Sequence, residues 1–385
     1  MKKLLFIVLC VFGFLLSGCN FRKNYDIDYE CSQNYGGATL RILNWGEYID
    51  LDLVKQFEDL CNAKVIVDTT ESNEGMLTKI TTGDTDYDIL VPSDYMIERL
   101  IAQDLVQKID FNNVPNYQYI FKDLKGKEHD PNDEYSIPYF WGTVGLIYNK
   151  KKLQELGIKE SELNTWTILK DRRLKGNLLL YDSQRDMYMI GFKLVDPNLS
   201  PNVEGDSEEA YEEYARNIDL ATKQLEIVQE NSTQYLTDTL KYMIANGDAA
   251  VGIAYNGDFL EVYYELGDEA DNLGYVIPDE GSNMWFDSFV ITKRSKNKRL
   301  AEEFLNFMND PKVAYYNAIH VGYSTANAAA FELLKEDEDY EKILKLEAYR
   351  PDHTVMEKLV VYRDLGIELN NKMSDAFQQL RAKSD

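Results

Sequence analysis

The sequence is poor in the residues that most metal and catalytic chemistry requires. Its three histidines, His129, His320 and His353, are scattered, and its four cysteines form no Cys-x-x-Cys pair. With no His-Glu-x-x-His either, the spacings that hold a zinc ion are missing and no metal ligand is assigned. There is no Gly-x-Ser-x-Gly elbow, no Walker loop and no Gly-x-Gly-x-x-Gly turn, so no catalytic residue and no cofactor follow from the known signatures. Positive charge is scarce as well: 41 Lys+Arg stand against 66 Asp+Glu, a net −25. So acidic a body argues against nucleic acid or anionic lipid as a partner, because phosphates need basic patches. It is compatible with a cationic ligand, although solubility alone would account for it. After the first residues no stretch is long and apolar enough to cross a bilayer, and there is no internal repeat or low-complexity block.

What apolar clustering there is lies at the start. Lys2 and Lys3 precede an apolar run, Leu4 to Leu16, too short for a permanent span and typical of a signal segment. Leu16-Ser17-Gly18-Cys19 resembles a bacterial lipobox. That resemblance implies a signal peptide over 1–18, lipid on the Cys19 thiol, and a mature chain held on the extracytoplasmic face of the cell membrane or in the periplasm. Loss of Lys2 and Lys3 takes the net charge from −25 to −27. Cys10 leaves with the signal. Cys31 and Cys61 remain, and the compartment permits their disulfide, but sequence fixes no geometry and free thiols are at least as consistent with it. Residues 20–37 are polar, end in Gly36-Gly37 and read as a flexible tether.

From residue 39 strands and helices alternate. Strands are predicted at Thr39–Asn44, Lys64–Asp68, Asp88–Val91, Val144–Tyr148, Leu178–Tyr181, Ala249–Ala254 and Ser288–Thr292. A helix capped by Asp50 carries Leu53, Phe57 and Leu60 at helical spacing. Ser295 is a candidate cap for a helix over Leu300–Met308, which stops before Asp310-Pro311. The alternation predicts α/β layers on a largely parallel sheet. The acidic runs Ser207–Glu213 and Glu336–Glu341 are read as solvated helix faces, with no site role.

Aromatic and acidic residues recur at the ends of these strands, where open α/β sheets place ligands. They occur in Asn44-Trp45-Gly46-Glu47-Tyr48, Pro92-Ser93-Asp94-Tyr95, Tyr181-Asp182-Ser183-Gln184-Arg185-Asp186, Tyr255-Asn256-Gly257-Asp258, Trp285-Phe286-Asp287-Ser288 and Gly322-Tyr323. These types suit an organic cation. An alkylammonium, with a pKa near ~10.4, arrives charged, and its desolvation costs several kcal/mol unless a carboxylate compensates. One ion pair at ~4 Å and an effective dielectric near ~20 returns roughly 4 kcal/mol. A diamine or triamine therefore needs carboxylates at separated places, with flat walls between that also attract the charge. Trp45, Tyr48, Tyr95, Tyr255, Trp285 and Tyr323 can supply walls; Asp186, Asp258 and Asp287 can supply charge. Taken singly, each aromatic is more simply a core residue, Ser93 a helix cap, Asp258 and Asp287 turn caps, and Arg185–Asp186 a surface pair. Only the recurrence raises the set.

Asn44-Trp45-x-Glu47-Tyr48, Tyr87 to Tyr95, Tyr135 to Gly142, Leu174-Lys175-Gly176 and Trp285-Phe286-Asp287-Ser288 resemble the bacterial spermidine/putrescine-binding proteins over nearly the whole mature chain. The resemblance implies an α/β, two-lobed periplasmic-binding-protein-like fold of type II, each lobe a mainly parallel sheet flanked by helices. One lobe is expected over 38–139 plus 288–328 and the other over 140–287 plus 329–385, with crossings near Tyr139–Gly142, at Asp287 and after Tyr323. It implies a monomer that holds a polyamine in the cleft and hands it to an ABC importer permease. A polyamine-sensing lipoprotein acting on a membrane signalling partner would use the same pocket. Carried over by position, Trp45, Glu47, Tyr48, Ser93, Tyr95, Ser183, Asp186, Tyr255, Asp258, Trp285, Asp287 and Tyr323 fall at or within the matched site segments. Asp287 matches the central amine-binding aspartate. Ser183 replaces an aspartate of the spermidine-binding members, and Asp258 matches an acid of the putrescine-selective ones; together these lean towards putrescine. A family glutamine falls around Tyr349-Arg350, where a guanidinium would repel a cation, so either Arg350 points away or the match is displaced.

Overall fold

Alternating apolar residues in Ala38–Asn44 (β1) bury Leu40 and Ile42, and the strand runs parallel to Ala63–Thr69 (β2) and Ile89–Leu90 (β3). The structure, a computed structural model, describes residues 23–383 apart from Asp84 and Asp339; the signal peptide and Cys19 lie outside the described residues. Between β1 and β2, α1 (Leu51–Cys61) begins at Asp50, whose side chain accepts the N–H of Asp52 as expected of a cap. Leu53 and Phe57 are buried, but Leu60 is 41 % exposed because the inward stripe passes through Val54 and Cys61 instead. Next come α2 (Asn73–Thr82), α3 (Asp94–Ala102) and β4 (Val106–Gln107).

The strand expected at Val144–Tyr148 is part of a far longer one, β5 (Ser136–Asn149), buried throughout. Pro138 does not end it. The ladder to its antiparallel neighbour slips there: Asp287 faces Phe140 and Ser288 faces Pro138, so the residue without an N–H sits at a bulge. After α4 (Lys150–Glu155) come β6 (Leu178–Tyr181), α5 (Gln184–Val195), α6 (Glu208–Gln229), β7 (Ser232–Leu236) and α7 (Leu240–Asn246). Then follow β8 (Val251–Tyr255), α8 (Asn256–Leu266) and β9 (Leu273–Val276). A second long strand, β10 (Ser282–Thr292), returns to the first sheet. The remainder is α9 (Lys298–Met308), α10 (Pro311–Val321), β11 (Ser324–Thr325), α11 (Ala328–Glu336), α12 (Glu341–Leu344), α13 (His353–Met356), β12 (Leu359–Val360) and α14 (Gly366–Arg381).

The sheet order β2-β1-β3-β10-β5-β8-β6-β7 explains the architecture. Parallel trios, β2-β1-β3 and β7-β6-β8, form the two lobes, and β5 and β10 run antiparallel between them. The expected parallel sheets are therefore present, but the strands that join them are not parallel. The strand β5 changes partner along its length, from β10 at residues 136–143 to β8 at 144–148.

Two expectations change. Ser295 does not cap α9; its hydroxyl donates to Asp88 at 2.6 Å, and Asn297 takes the cap position. The segment expected as a flexible tether is, from Lys23 on, a strap against the first lobe. Cys31 and Cys61 form a disulfide with Cα atoms 5.4 Å apart. Tyr29 donates to Glu303 Oε1 at 2.6 Å, Tyr35 to Oε2 at 3.0 Å, and Ser32 also bonds Glu303. Burial would raise the Glu303 pKa, but these donors outweigh it and hold the carboxyl below its usual range. The polar composition that suggested a solvated spacer is used to solvate one buried acid.

Candidate functional site

Opposite the bulge in β5, Asp287 of β10 lies beside the end of β3, where Ser93 and Asp287 form an isolated bridge. Asp287 is 7 % exposed. Ser93 Oγ donates to its Oδ1 at 2.7 Å and Tyr48 Oη to its Oδ2 at 2.9 Å. Ser93 stands at the head of α3, yet makes no side-chain cap bond; its hydroxyl is aimed by Asn73, which donates to it at 3.0 Å. Burial pushes the Asp287 pKa up to about 6, with the Ser93 and Tyr48 bonds restraining the rise. Neighbouring Asp94 is pushed to about 8 by burial, with Asp287 adding to the rise and the N–H groups of Tyr95 and Phe286 opposing it. Of the two acids, Asp287 is the more readily ionised.

A second buried carboxylate follows β6, in the other trio of strands. Asp186, 2 % exposed, occupies the first turn of α5. Tyr255 Oη donates to Oδ2 at 2.7 Å and Tyr362 Oη to Oδ1 at 2.9 Å. Ser183 serves as the helix cap, its Oγ accepting the Asp186 N–H at 3.4 Å. Burial, reinforced by the adjacent acids, holds the hydroxyls of Tyr48, Tyr255 and Tyr362 well above their usual pKa, so they remain donors.

Rings connect the two acids without a break. Tyr48 meets Tyr323 at 5.7 Å, Tyr323 meets Trp285 at 5.5 Å and Trp285 meets Tyr255 at 5.8 Å between centroids, each edge to face. Two glycines make room: a Cβ on Gly257 would lie 2.0 Å from the Tyr323 ring, and one on Gly142 would lie 2.6 Å from Trp285. The indole N–H groups of Trp45 and Trp285 are buried and have no hydrogen-bond partner among the described residues.

The other candidates are less uniform. Trp45 and Tyr95 are half-buried. Tyr95 donates to Glu74 at 3.2 Å, and its ring already faces a cation of the protein, the Arg185 guanidinium 5.6 Å away. Glu47 is exposed, in a left-handed conformation with φ 51°. Asp258 is buried, but its Oδ1 lies 3.3 Å from Lys241 Nζ and its Oδ2 accepts the Tyr255 N–H at 3.3 Å. Arg350 pairs with Asp123 at 2.6 Å and stacks on Phe121. Tyr362 escaped the sequence reading; no motif surrounds it, and only the pairing of β12 with β10 carries it to Asp186. The same segment pairs with α3, Arg363 to Glu98 at 2.5 Å and Asp364 to Arg99.

The model of the bacterial extracellular solute-binding proteins matches residues 52–345. The chain belongs to that family. It is 32 % identical over 307 residues to the spermidine/putrescine-binding periplasmic protein of Escherichia coli K12, covering 80 % of this chain and 82 % of that one. It is 28 % identical over 367 residues to the putrescine-binding periplasmic protein SpuD of Pseudomonas aeruginosa, covering 91 % and 94 %. Among solved structures it superposes with TM-score 0.74 and 32 % identity on the spermidine/putrescine ABC transporter substrate-binding protein PotD of Streptococcus pneumoniae, over 91 % of this chain and 100 % of that chain. The family resemblance and the two-lobed fold read from the sequence are both borne out. Family members of this kind work outside the cytoplasm as solute receptors.

Proposed function

We propose that this solute-binding protein takes up a polyamine between its lobes and delivers it to the permease of an ABC importer, as a monomer tethered by lipid at Cys19. The observation that carries the reading is the pair of buried carboxylates, Asp287 and Asp186, each solvated by two hydroxyl donors and joined by a run of rings. Hydroxyls stabilise an anion without neutralising it. Each acid thus keeps a full charge for a ligand ammonium, while the rings accept the methylenes and attract the charge from the side.

Asp287 takes its donors from the first lobe, Asp186 from the second. A ligand with a positive charge at each end then ties the lobes together, and closure follows from the contacts that only the closed form makes. We take the lobes as 38–139 with 288–328 and 140–287 with 329–385, turning about β5 and β10. The importer would read that closure; no bond in the ligand changes.

Calorimetry with putrescine, cadaverine, spermidine, spermine and agmatine tests the proposal. Saturable binding of at least one is the expected result. Folded protein that gives no heat with any of them would remove the polyamine reading.

A further inference from the structure

Three acids were candidates for ligand charges, but only one of them, Asp258, has a cation of the protein set against it. Lys241 on α7 is 7 % exposed, with Nζ 3.3 Å from Asp258 and 2.6 Å from Glu261. Burial disfavours its charge, yet the two carboxylates more than offset this and raise its pKa above the ordinary lysine value. A buried lysine is rare unless paired, and this one is paired directly behind the ring wall. Asp258 lies in the first turn of α8 beside Gly257, against which Tyr323 lies, and the residue that caps this helix, Tyr255, holds Asp186. Asp287 and Asp186, by contrast, make no ion pair among the described residues.

Resting on the polyamine reading above, we propose that Lys241 determines specificity: its ammonium, built into the protein, occupies the acid at Asp258 and leaves two charge-accepting ends, so diamines are selected over triamines and tetraamines. A third ligand ammonium reaching this end of the cleft would meet Nζ at the carboxylate it needs, and like charges would face each other in a water-poor site.

The test is calorimetry on the purified protein with putrescine and spermidine, comparing wild type, Lys241→Met and the double variant Lys241→Met/Asp258→Asn, each with its thermal unfolding recorded. The wild type is expected to prefer putrescine. Lys241→Met should raise spermidine affinity relative to putrescine at least tenfold, because the third ammonium replaces Nζ. The double variant, lacking both charges, should return the ratio to within threefold of wild type. Should the methionine variant fail to fold, Lys241→Gln, which keeps a donor for both acids, is measured instead with the same expectation. A folded variant whose ratio stays within twofold of wild type, or a double variant that keeps the full gain, overturns the proposal. So does a wild type that prefers spermidine. A wild type silent to every polyamine overturns the function itself, a result distinct from these.

Discussion

The two ends of the cleft use the same chemistry on unlike scaffolds. Asp287 sits in an extended strand that joins the lobes, with burial pushing its pKa to about 6. Asp186 sits in the first turn of α5, where the positive end of the helix favours a negative charge. Both accept from two hydroxyls. The difference is in what a cation has left to contribute. At Asp287 the ionised form is held at a cost that an arriving ammonium relieves; Asp186 has the start of a helix behind it in addition to its two tyrosines. The Asp287 end should therefore anchor the ligand and the Asp186 end should measure it.

The sharpest way to break this contrast is to neutralise each acid in turn. Asp287→Asn should lower putrescine affinity by roughly 150- to 4000-fold, since an unpaired buried charge costs about 3–5 kcal/mol. Asp186→Asn should cost less, about ten- to 100-fold, and leave binding of a simple monoamine nearly unchanged. Equal losses in titration calorimetry would erase the distinction, and unaltered binding in the first variant would take Asp287 out of the site.

Proton competition gives a smaller, graded effect. A cation needs Asp287 ionised, so affinity should fall by about tenfold per pH unit once pH drops well below about 6. The sign reverses for the unliganded protein. A carboxyl whose folded pKa lies above its unfolded value of ~3.9 contributes stability at low pH, and that contribution is lost as pH rises through about 6. Binding isotherms from pH 5 to 8 on wild type and Asp287→Asn check this; a slope that survives the substitution assigns the proton elsewhere.

The smallest expected effect on binding comes from the disulfide of the strap, which bonds neither acid. Replacing Cys31 and Cys61 by serine opens a loop spanning 30 residues and should cost about 3 kcal/mol of stability in denaturant unfolding. Putrescine affinity should stay within twofold. A large loss of affinity would mean that the strap reaches the cleft.

How much of this was legible in the sequence depended on whether a residue's partner lay in its own motif. Asp287 and Trp285 share four residues with a recognisable pattern, and β1, β2 and β6 follow from short apolar runs. Tyr362 meets Asp186 across 176 positions, and Lys241 looks like any polar helix residue until α8 folds over it. The first half of β5, before Val144, is not predicted as strand, because a bulge that absorbs the missing donor of Pro138 leaves no local signal. The tyrosines of the strap misled as well. A run of Tyr, Ser and Asp has the composition of a spacer, and only the buried Glu303 they converge on makes it structure.

That strap also sets the length of the leash. Lys23 N–H is already bonded to Asp52, so with lipid at Cys19, as proposed, the intervening chain can reach at most about 14 Å. The first lobe would then ride close to the bilayer while the second swings above it. Search for a permease becomes a two-dimensional problem, solved by drifting and turning in the plane of the membrane.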